Sequence, residues 1–389
     1  MTASPPSPSA PPPRDQITLD ELDDLVIGAE LFSSGGGGTD GPADSLLDWA
    51  RQALARGPVR LLGPDRNPGQ APEAHADDPG NRAQHPDCVA VLLVGTPTML
   101  EEHLPTGNET RAAVAALERW TGGSLRAIAP LNIAGVNCLP AVITAAQLDL
   151  PLLDIDGMGR GFPLVEQTTY ALDGIDPTPL AVAGGNGEVV VVDQPAASLE
   201  SMLRPLVLGC GGWVICACYP ARVSRFLRAG IPGSINRAIQ AGHALRHPGD
   251  TTSDGHALAR RLGGRLLCRG RVVDVEYSPD RRSTTSHPAS VSSLVIEEAE
   301  RARRIVRLEA HNEILLALAD GGVIGSVPDI ICLVGQHFRR VIDIEQVTPG
   351  LDVDVILLPA AHHWHTAPGM ALAGPAAFGL PELGNRPCA

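Results

Sequence analysis

Lysine is absent from this chain of 389 residues, so all 30 basic side chains are arginine. That absence excludes a Schiff-base lysine and a phosphate-loop lysine, and with them pyridoxal-phosphate enzymes and ordinary phosphate-loop nucleotidases; neither group is expected as a cofactor. No apolar run approaches the roughly 18 residues that span a bilayer, so no membrane segment is expected. The opening Met1-Thr-Ala-Ser-Pro-Pro-Ser-Pro-Ser-Ala-Pro-Pro-Pro-Arg14 has no basic leader and no apolar core. It reads as a disordered tail over 1–17 and not as a secretory signal. The eight cysteines lack zinc-finger spacing, and the tightest group, Cys210-x5-Cys216-x-Cys218, matches no familiar metal site. They read as small buried residues of a reducing cytoplasm, the expected location. Gly-x-Ser-x-Gly, His-Glu-x-x-His and internal repeats are also missing.

A net charge of −14 argues against a nucleic-acid partner, since the summed field repels a phosphate backbone. The best local basic group, Arg222, Arg225 and Arg228, has the spacing of one solvated helix face.

What is present is organised around Leu150-Pro-Leu-Leu-Asp-Ile-Asp-Gly-Met-Gly-Arg-Gly-Phe-Pro163. Apolar Leu150, Leu152, Leu153 and Ile155 frame Asp154 and Asp156, as in a strand buried on both faces. Gly157, Gly159 and Gly161 then allow a sharp turn that carries Arg160. Two readings stand: a ligand site, or a capped strand end with a structural Asp–Arg pair.

Upstream, Thr18 with Glu21 forms a capping box for a helix to Phe32, and a second helix is expected over 43–56. Between them Gly35, Gly36, Gly37 and Gly38 can form a nest of backbone N–H groups for an anion, or a flexible linker. Strands at 58–62, 88–94, 125–131 and 150–155 alternate with helices at 108–120 and 139–148, which predicts right-handed parallel crossovers. The loops after these strands then gather at one sheet edge, where open α/β sheets bind ligands. Glu101, Glu102, His103, Asn132, Asn137, Asp154, Asp156 and Arg160 are expected to share that pocket.

From about residue 180 strand patterns dominate, at 189–193, 212–218, 265–278, 292–298, 305–310, 314–319, 323–334, 341–347 and 353–359. The expected organisation is therefore α/β: an amino-terminal domain over 18–185 with a mostly parallel sheet, then a β-rich, barrel-like domain over 186–389. A helical insertion is expected near 221–262, with helices at 234–245 and 255–262. His362, His363 and His365 invite a zinc reading, against that of a surface loop.

Together the motifs resemble a bacterial family named for S-methyl-thiohydantoin desulfurase. The resemblance rests on Asp23–Ala29, Gly35–Gly38, Gly95-Thr-Pro97 with Glu102, Gly135-Val-Asn137, Asp154–Arg160 with Phe162-Pro163, Asn312-Glu313, Val327–Ile331 and Gly374–Gly379. It implies a three-layer α/β domain followed by a barrel-like one, and hydrolysis at the sulfur-bearing carbon of a thiohydantoin or related cyclic ureide, with release of a thiol. Under it Asp154 or Asp156 is the expected base, Glu102 a further catalytic candidate, and Arg160 a clamp for an acidic substituent. Gly35–Gly38 would supply backbone donors and Asn137 would orient the ring. A divalent metal such as zinc, held by these carboxylates, and a homo-oligomer are left open. The family pattern has Glu at 132, Gly at 134 and Glu at 164, where this chain has Asn132, Ala134 and Leu164. The alternative is a non-catalytic partner subunit of a hydantoinase/oxoprolinase-type enzyme that binds ligand in the same pocket.

Overall fold

The computed structural model describes residues 14–36, 43–63, 85–95, 99–247, 254–279, 290–299 and 304–380. The proline-rich tail before Arg14 and the glycines at 37 and 38 lie outside them.

In chain order the first elements are β1 (Gln16–Ile17), α1 (Leu19–Phe32), α2 (Ala43–Leu54), β2 (Val59–Leu62) and β3 (Cys88–Gly95). Then come α3 (Met99–Glu102), α4 (Glu109–Thr121), β4 (Ala127–Pro130), α5 (Cys138–Leu148), β5 (Leu152–Leu153) and β6 (Ile155–Asp156). Next are α6 (Thr169–Leu172), β7 (Leu180–Ala183), β8 (Val189–Val192), α7 (Leu199–Gly209) and β9 (Trp213–Ala221). The first sheet has the order β1-β2-β5-β4-β3-β9-β7-β8. Strands β2, β5, β4 and β3 run parallel, joined by the crossovers that the alternating pattern predicts. Successive residues of each strand point to opposite faces. One face, with Val89, Val91 and Leu93, packs on α1, α2, α4 and α5. The other, with Ala90, Leu92 and Leu131, packs on α7 and the Tyr170–Phe226 aromatic pair. Apolar residues on both sides of the strands thus produce three layers.

Two sequence expectations are revised in this sheet. Strands β7, β8 and β9 pair antiparallel on its far side, so chain beyond residue 186 completes the first sheet instead of opening the second. The single strand expected over 150–155 splits at Asp154. Its backbone carbonyl accepts from Gly233 N, and its carboxylate from Ile235 N (3.0 Å), Asn236 N (3.2 Å) and Asn236 Nδ2 (2.7 Å). These bonds draw the chain out of the sheet, and β6 pairs instead with β10 (Ile231–Pro232), which follows α8 (Val223–Ala229).

After β10 come α9 (Ser234–Arg246), α10 (Gly255–Arg261), β11 (Arg265–Pro279), β12 (Ser290–Glu298), β13 (Ile305–His311) and β14 (Glu313–Ala319). The chain continues through β15 (Gly322–Ser326), β16 (Ile330–Gly335), β17 (Val341–Ile342), β18 (Asp352–Leu358) and α11 (Ala367–Ala373). The second sheet, β15-β14-β13-β12-β11-β18-β16-β17, is antiparallel and does not close into the expected barrel. Packing supplies the reason: Ile330, Cys332, Val334, Ile356 and Leu358 are buried in one cluster with residues of α1, α9 and α10. A sheet face that docks helices is not available to curl on itself. The run read as one strand over 323–334 breaks at Val327-Pro328, because proline cannot donate to a ladder.

Helices α1 and α9 bind the halves together at a glycine crossing. A Cβ on Gly28 would lie 1.7 Å from Ala238 O, and one on Gly242 would lie 1.8 Å from Asp24 O. Just beyond α1, Ser34 Oγ donates to Ile314 O (3.1 Å) and Ile331 O (2.9 Å), and Ile344 N donates to Gly35 O (2.8 Å). The start of the glycine run is thereby sewn to the second sheet.

Candidate active site

Those stitches close a cavity of about 640 Å³ between the two sheets, within the range of a small-molecule site. The first domain supplies the end of β3 (Leu92–Gly95), the loop after β4 (Leu131, Asn132, Ala134, Val136, Asn137) and the turn at Met158 and Phe162–Val165. Helix α7 adds Glu200 and Arg204, and the second domain adds Asn312, Glu313 and Asp343–Gln346. Parallel strands do deliver their following loops to one edge, as the topology requires.

The polar wall is acidic. Glu200, Glu313, Asp343 and Glu345 line it together with one arginine, Arg204, which pairs with Glu200 (Nε to Oε2, 3.3 Å). Glu313 follows Asn312, whose φ of +67° turns the chain sharply between β13 and β14 and aims the glutamate at the sheet edge. Its Oε2 is shielded from solvent and has no hydrogen-bond partner among the described residues. Burial pushes the carboxyl up to about 7, opposed first by the positive charge of Arg160 and reinforced by Asp343. A carboxyl that titrates near neutrality inside a cavity can both take and return a proton. Across from it, Asn137 Oδ1 accepts from Leu93 N (2.7 Å) and Asn132 Oδ1 accepts from Ala134 N (3.1 Å). These bonds fix both amides with Nδ2 left to donate.

The residues singled out from the sequence are divided by the fold. Asn137 and Gly36 line the cavity, and a Cβ on Gly36 would meet Glu313 Cγ at 3.2 Å. Gly35 lies directly behind, at φ +85°. Glu102 sits exposed on α3, with Glu101 and His103, outside the cavity wall. Asp154 anchors the start of α9. Asp156 is 0% exposed, and its Oδ2 accepts from Ile133 N (3.0 Å), Met158 N (3.3 Å) and Gly159 N (2.7 Å) while Oδ1 accepts from Ser234 Oγ (2.6 Å). Burial raises its pKa against those four bonds. With every approach occupied, Asp156 holds the turn together and has no edge open to the cavity. Arg160 is 1% exposed and makes no clamp for an acidic substituent: its Nη1 donates to Pro328 O (2.9 Å) and Asp329 O (2.7 Å), behind Phe162.

Among the described residues no three His, Cys, Asp or Glu side chains gather as a metal site. His362, His363 and His365 lie on a short 3₁₀ turn, where His365 pairs with Asp329. Cys210, Cys216 and Cys218 are buried in the apolar layer behind α7.

Glu313 was within a quoted motif but carried no assigned role in the sequence. Glu200 and Arg204 gave no signal because the packing of α7 on the first sheet brings them to the cavity, and Asp343 and Glu345 because only the meeting of the two sheets does.

The fold and cavity define a class: two-domain proteins in which a three-layer α/β unit and an open antiparallel sheet jointly enclose a site of small-molecule size. The chain belongs to the S-Me-THD-like family, the S-methyl-thiohydantoin desulfurase-like proteins. Residues 20–194 match the family's N-terminal domain and residues 193–388 its C-terminal domain. A crystal structure of a protein from Chromobacterium violaceum is similar over 96% of this chain and 99% of that one, with a TM-score of 0.73 and 24% identity, a likeness of fold. No curated protein matches. Among the described residues no helix is long and apolar enough to cross a membrane.

Proposed function

We propose that this protein hydrolyses a thiohydantoin-like cyclic ureide in the interdomain cavity, with Glu313 as acid–base. The observation that carries the reading is the Glu313 carboxyl, lifted to about 7 in a cavity whose size suits such a ring. Ionised Glu313 takes a proton from water as the oxygen adds to the ring carbon bearing sulfur. The C–S bond of the tetrahedral centre then breaks, Glu313 returns its proton to the departing thiolate, and the hydroxyl proton passes to the ring nitrogen that took up the C=N electron pair, so that a carbonyl remains. The Nδ2 groups of Asn132 and Asn137 donate to the ring carbonyl or to developing negative charge. Apolar Leu92, Leu131, Phe162 and Val165 exclude bulk water, which strengthens each of these interactions.

The test is thiol release from S-methyl-thiohydantoins by purified protein, with divalent metals supplied, compared with Glu313→Gln. No release, or an undiminished rate in the variant, rejects the assignment.

One observation favours a second reading. Positions 132 and 164, where the family pattern has glutamate, are Asn132 and Leu164 here, and both line the cavity. A site that has lost two carboxylates suits a ligand-binding subunit of a hydantoinase/oxoprolinase-type enzyme. Co-purification with such an enzyme, with ligand binding but no turnover by the isolated chain, would select this reading.

A further inference from the structure

Among the described residues each of the two large sheets ends in two edge strands, whose outer backbone groups lack a neighbour in the ladder. Three of these four edges are blunted. Strands β1 and β17 are two residues long. Strand β15 is bulged against β14, carries Gly322 and Gly325, and gives its Ile324 carbonyl to Arg265 Nη2 (2.8 Å). The fourth, β8, is four valines in succession, Val189–Val192, with no bulge, proline or basic residue. Val189 and Val190 are 43% and 36% exposed, one on each face of the strand. Glu188, the flanking charge, is turned into the β7–β8 hairpin, where its Oε2 accepts from Asn186 N (3.1 Å). An edge left this open is a template for another strand.

The ladder fixes which groups face outward. Val190 pairs with Val182 and Val192 with Leu180, in phase with the bond from Gly184 N to Glu188 O (3.0 Å), so residues 188, 190 and 192 bond inward to β7. The N–H and C=O groups of Val189 and Val191 therefore point away from the sheet. We propose that the chain forms a two-fold dimer in which β8 pairs antiparallel with β8 of a second copy, with Val191 opposite itself on the axis. The strand specifies this occupant because it is self-complementary in that register. Val190 meets Val192 of the second copy, Asp193 meets Val189 and Glu188 meets Gln194, so no carboxylate faces a carboxylate although each chain carries a charge of −14. A one-residue slip would set Glu188 against Asp193, and outward groups against inward ones. Centring on Val190 would set Asp193 against Gly187, a turn residue at φ +90°. Centring on Val192 would bring Val189 to Pro195, which has no N–H to give. The dimer is independent of the proposed reaction, since one chain encloses the cavity.

The experiment is sedimentation equilibrium of the full-length protein from nanomolar to micromolar concentration, with amide hydrogen exchange over 187–194 followed in the same samples. The wild type should pass from a 40.6 kDa monomer to twice that mass, and the amides of Val189 and Val191 should exchange more slowly as the dimer forms. Val191→Pro removes an outward N–H and no bond to β7, so the fold should stay and the dimer should be lost. Val191→Lys brings two ammonium groups together on the axis and should weaken association by about fivefold or more, whereas Val189→Lys, opposite Asp193, should leave or strengthen it. A monomer at every concentration overturns the proposal. So does a dimer that persists in Val191→Pro, or exchange at Val189 and Val191 that ignores concentration. The exchange reading uses the wild-type chain, so it decides the matter even where the proline variant does not fold. A dimer weakened equally by both lysines overturns the register on which the choice of a second copy rests.

Discussion

Asp156 and Glu313 are both carboxylates withdrawn from water near the same sheet edge, yet the protein surrounds them differently. Three backbone N–H groups and a serine hydroxyl converge on Asp156, so its lone pairs are used up in holding the turn at Gly157–Arg160. Glu313 has one oxygen sealed off without a partner and a cavity in front of it. Satisfied buried polar groups build structure, and unsatisfied ones are where strain is kept for use. The fold therefore separates what the Asp154–Arg160 segment first suggested for one place: that turn is a saturated frame, and the β13–β14 corner carries the carboxyl proposed to react.

Substitutions can break this comparison in order of expected effect. Asp156→Ala should lower stability by about 3–5 kcal/mol, since it strands three buried N–H donors at once. Asp156→Asn should cost about 1 kcal/mol, because Oδ1 can take the three N–H groups and Nδ2 can donate to Ser234 Oγ. Denaturant unfolding at pH 7 measures both, and equal losses would erase the distinction. Glu313→Gln should behave oppositely, reducing thiol release by about 10²–10⁴-fold without lowering stability.

The pH dependence sharpens the contrast. The folded-state pKa of Glu313 lies above the ordinary glutamate value, at about 7, so the folded protein binds more protons than the unfolded chain between about 4.5 and 7. Its contribution to stability is fully present below that window and is lost as pH rises through it. Glu313→Gln should match the wild type near pH 4 and exceed it at pH 8 by up to about 3 kcal/mol, measured as unfolding free energy at both pH values. A wild-type advantage at pH 8 would contradict the burial argument. The smallest effect is expected from Ser34→Ala, which removes hydrogen bonds to Ile314 and Ile331 beside the reactive corner. It should cost about 1–2 kcal/mol and lower the rate only modestly; a loss of rate as large as that of Glu313→Gln would move Ser34 into the chemistry.

Much of the architecture was legible because it is written in local patterns. The capping box at Thr18 and Glu21, the apolar strand at Cys88–Val94 and the helix after Asn108 need only neighbouring residues, and each forms within a residue or two of its expected bounds. The gathering of Asn132 and Asn137 at one edge followed from parallel connections alone. Asp154 and Asp156 drew attention for sound reasons, being charges in an apolar frame. Met158 and Gly159 are neighbours in the chain, but nothing local could reveal that Ile133, Ser234, Ile235 and Asn236 would supply the remaining donors. Closure of the second sheet was likewise undecidable from alternation, since a strand pattern says that one face is buried and not what buries it.

The amino-acid sequence by itself therefore determined the alternation of elements, the direction of the first sheet's crossovers and the exclusion of lysine chemistry, because these depend on periodicity and composition. Only the tertiary structure decided which carboxylate is saturated with donors and which borders the cavity with an oxygen left unpartnered. That property depends on whether donors more than twenty residues away, or in another domain, reach the oxygen atoms. For Asp156, Ile133 and Ser234 do; for Glu313 Oε2 no donor does among the described residues.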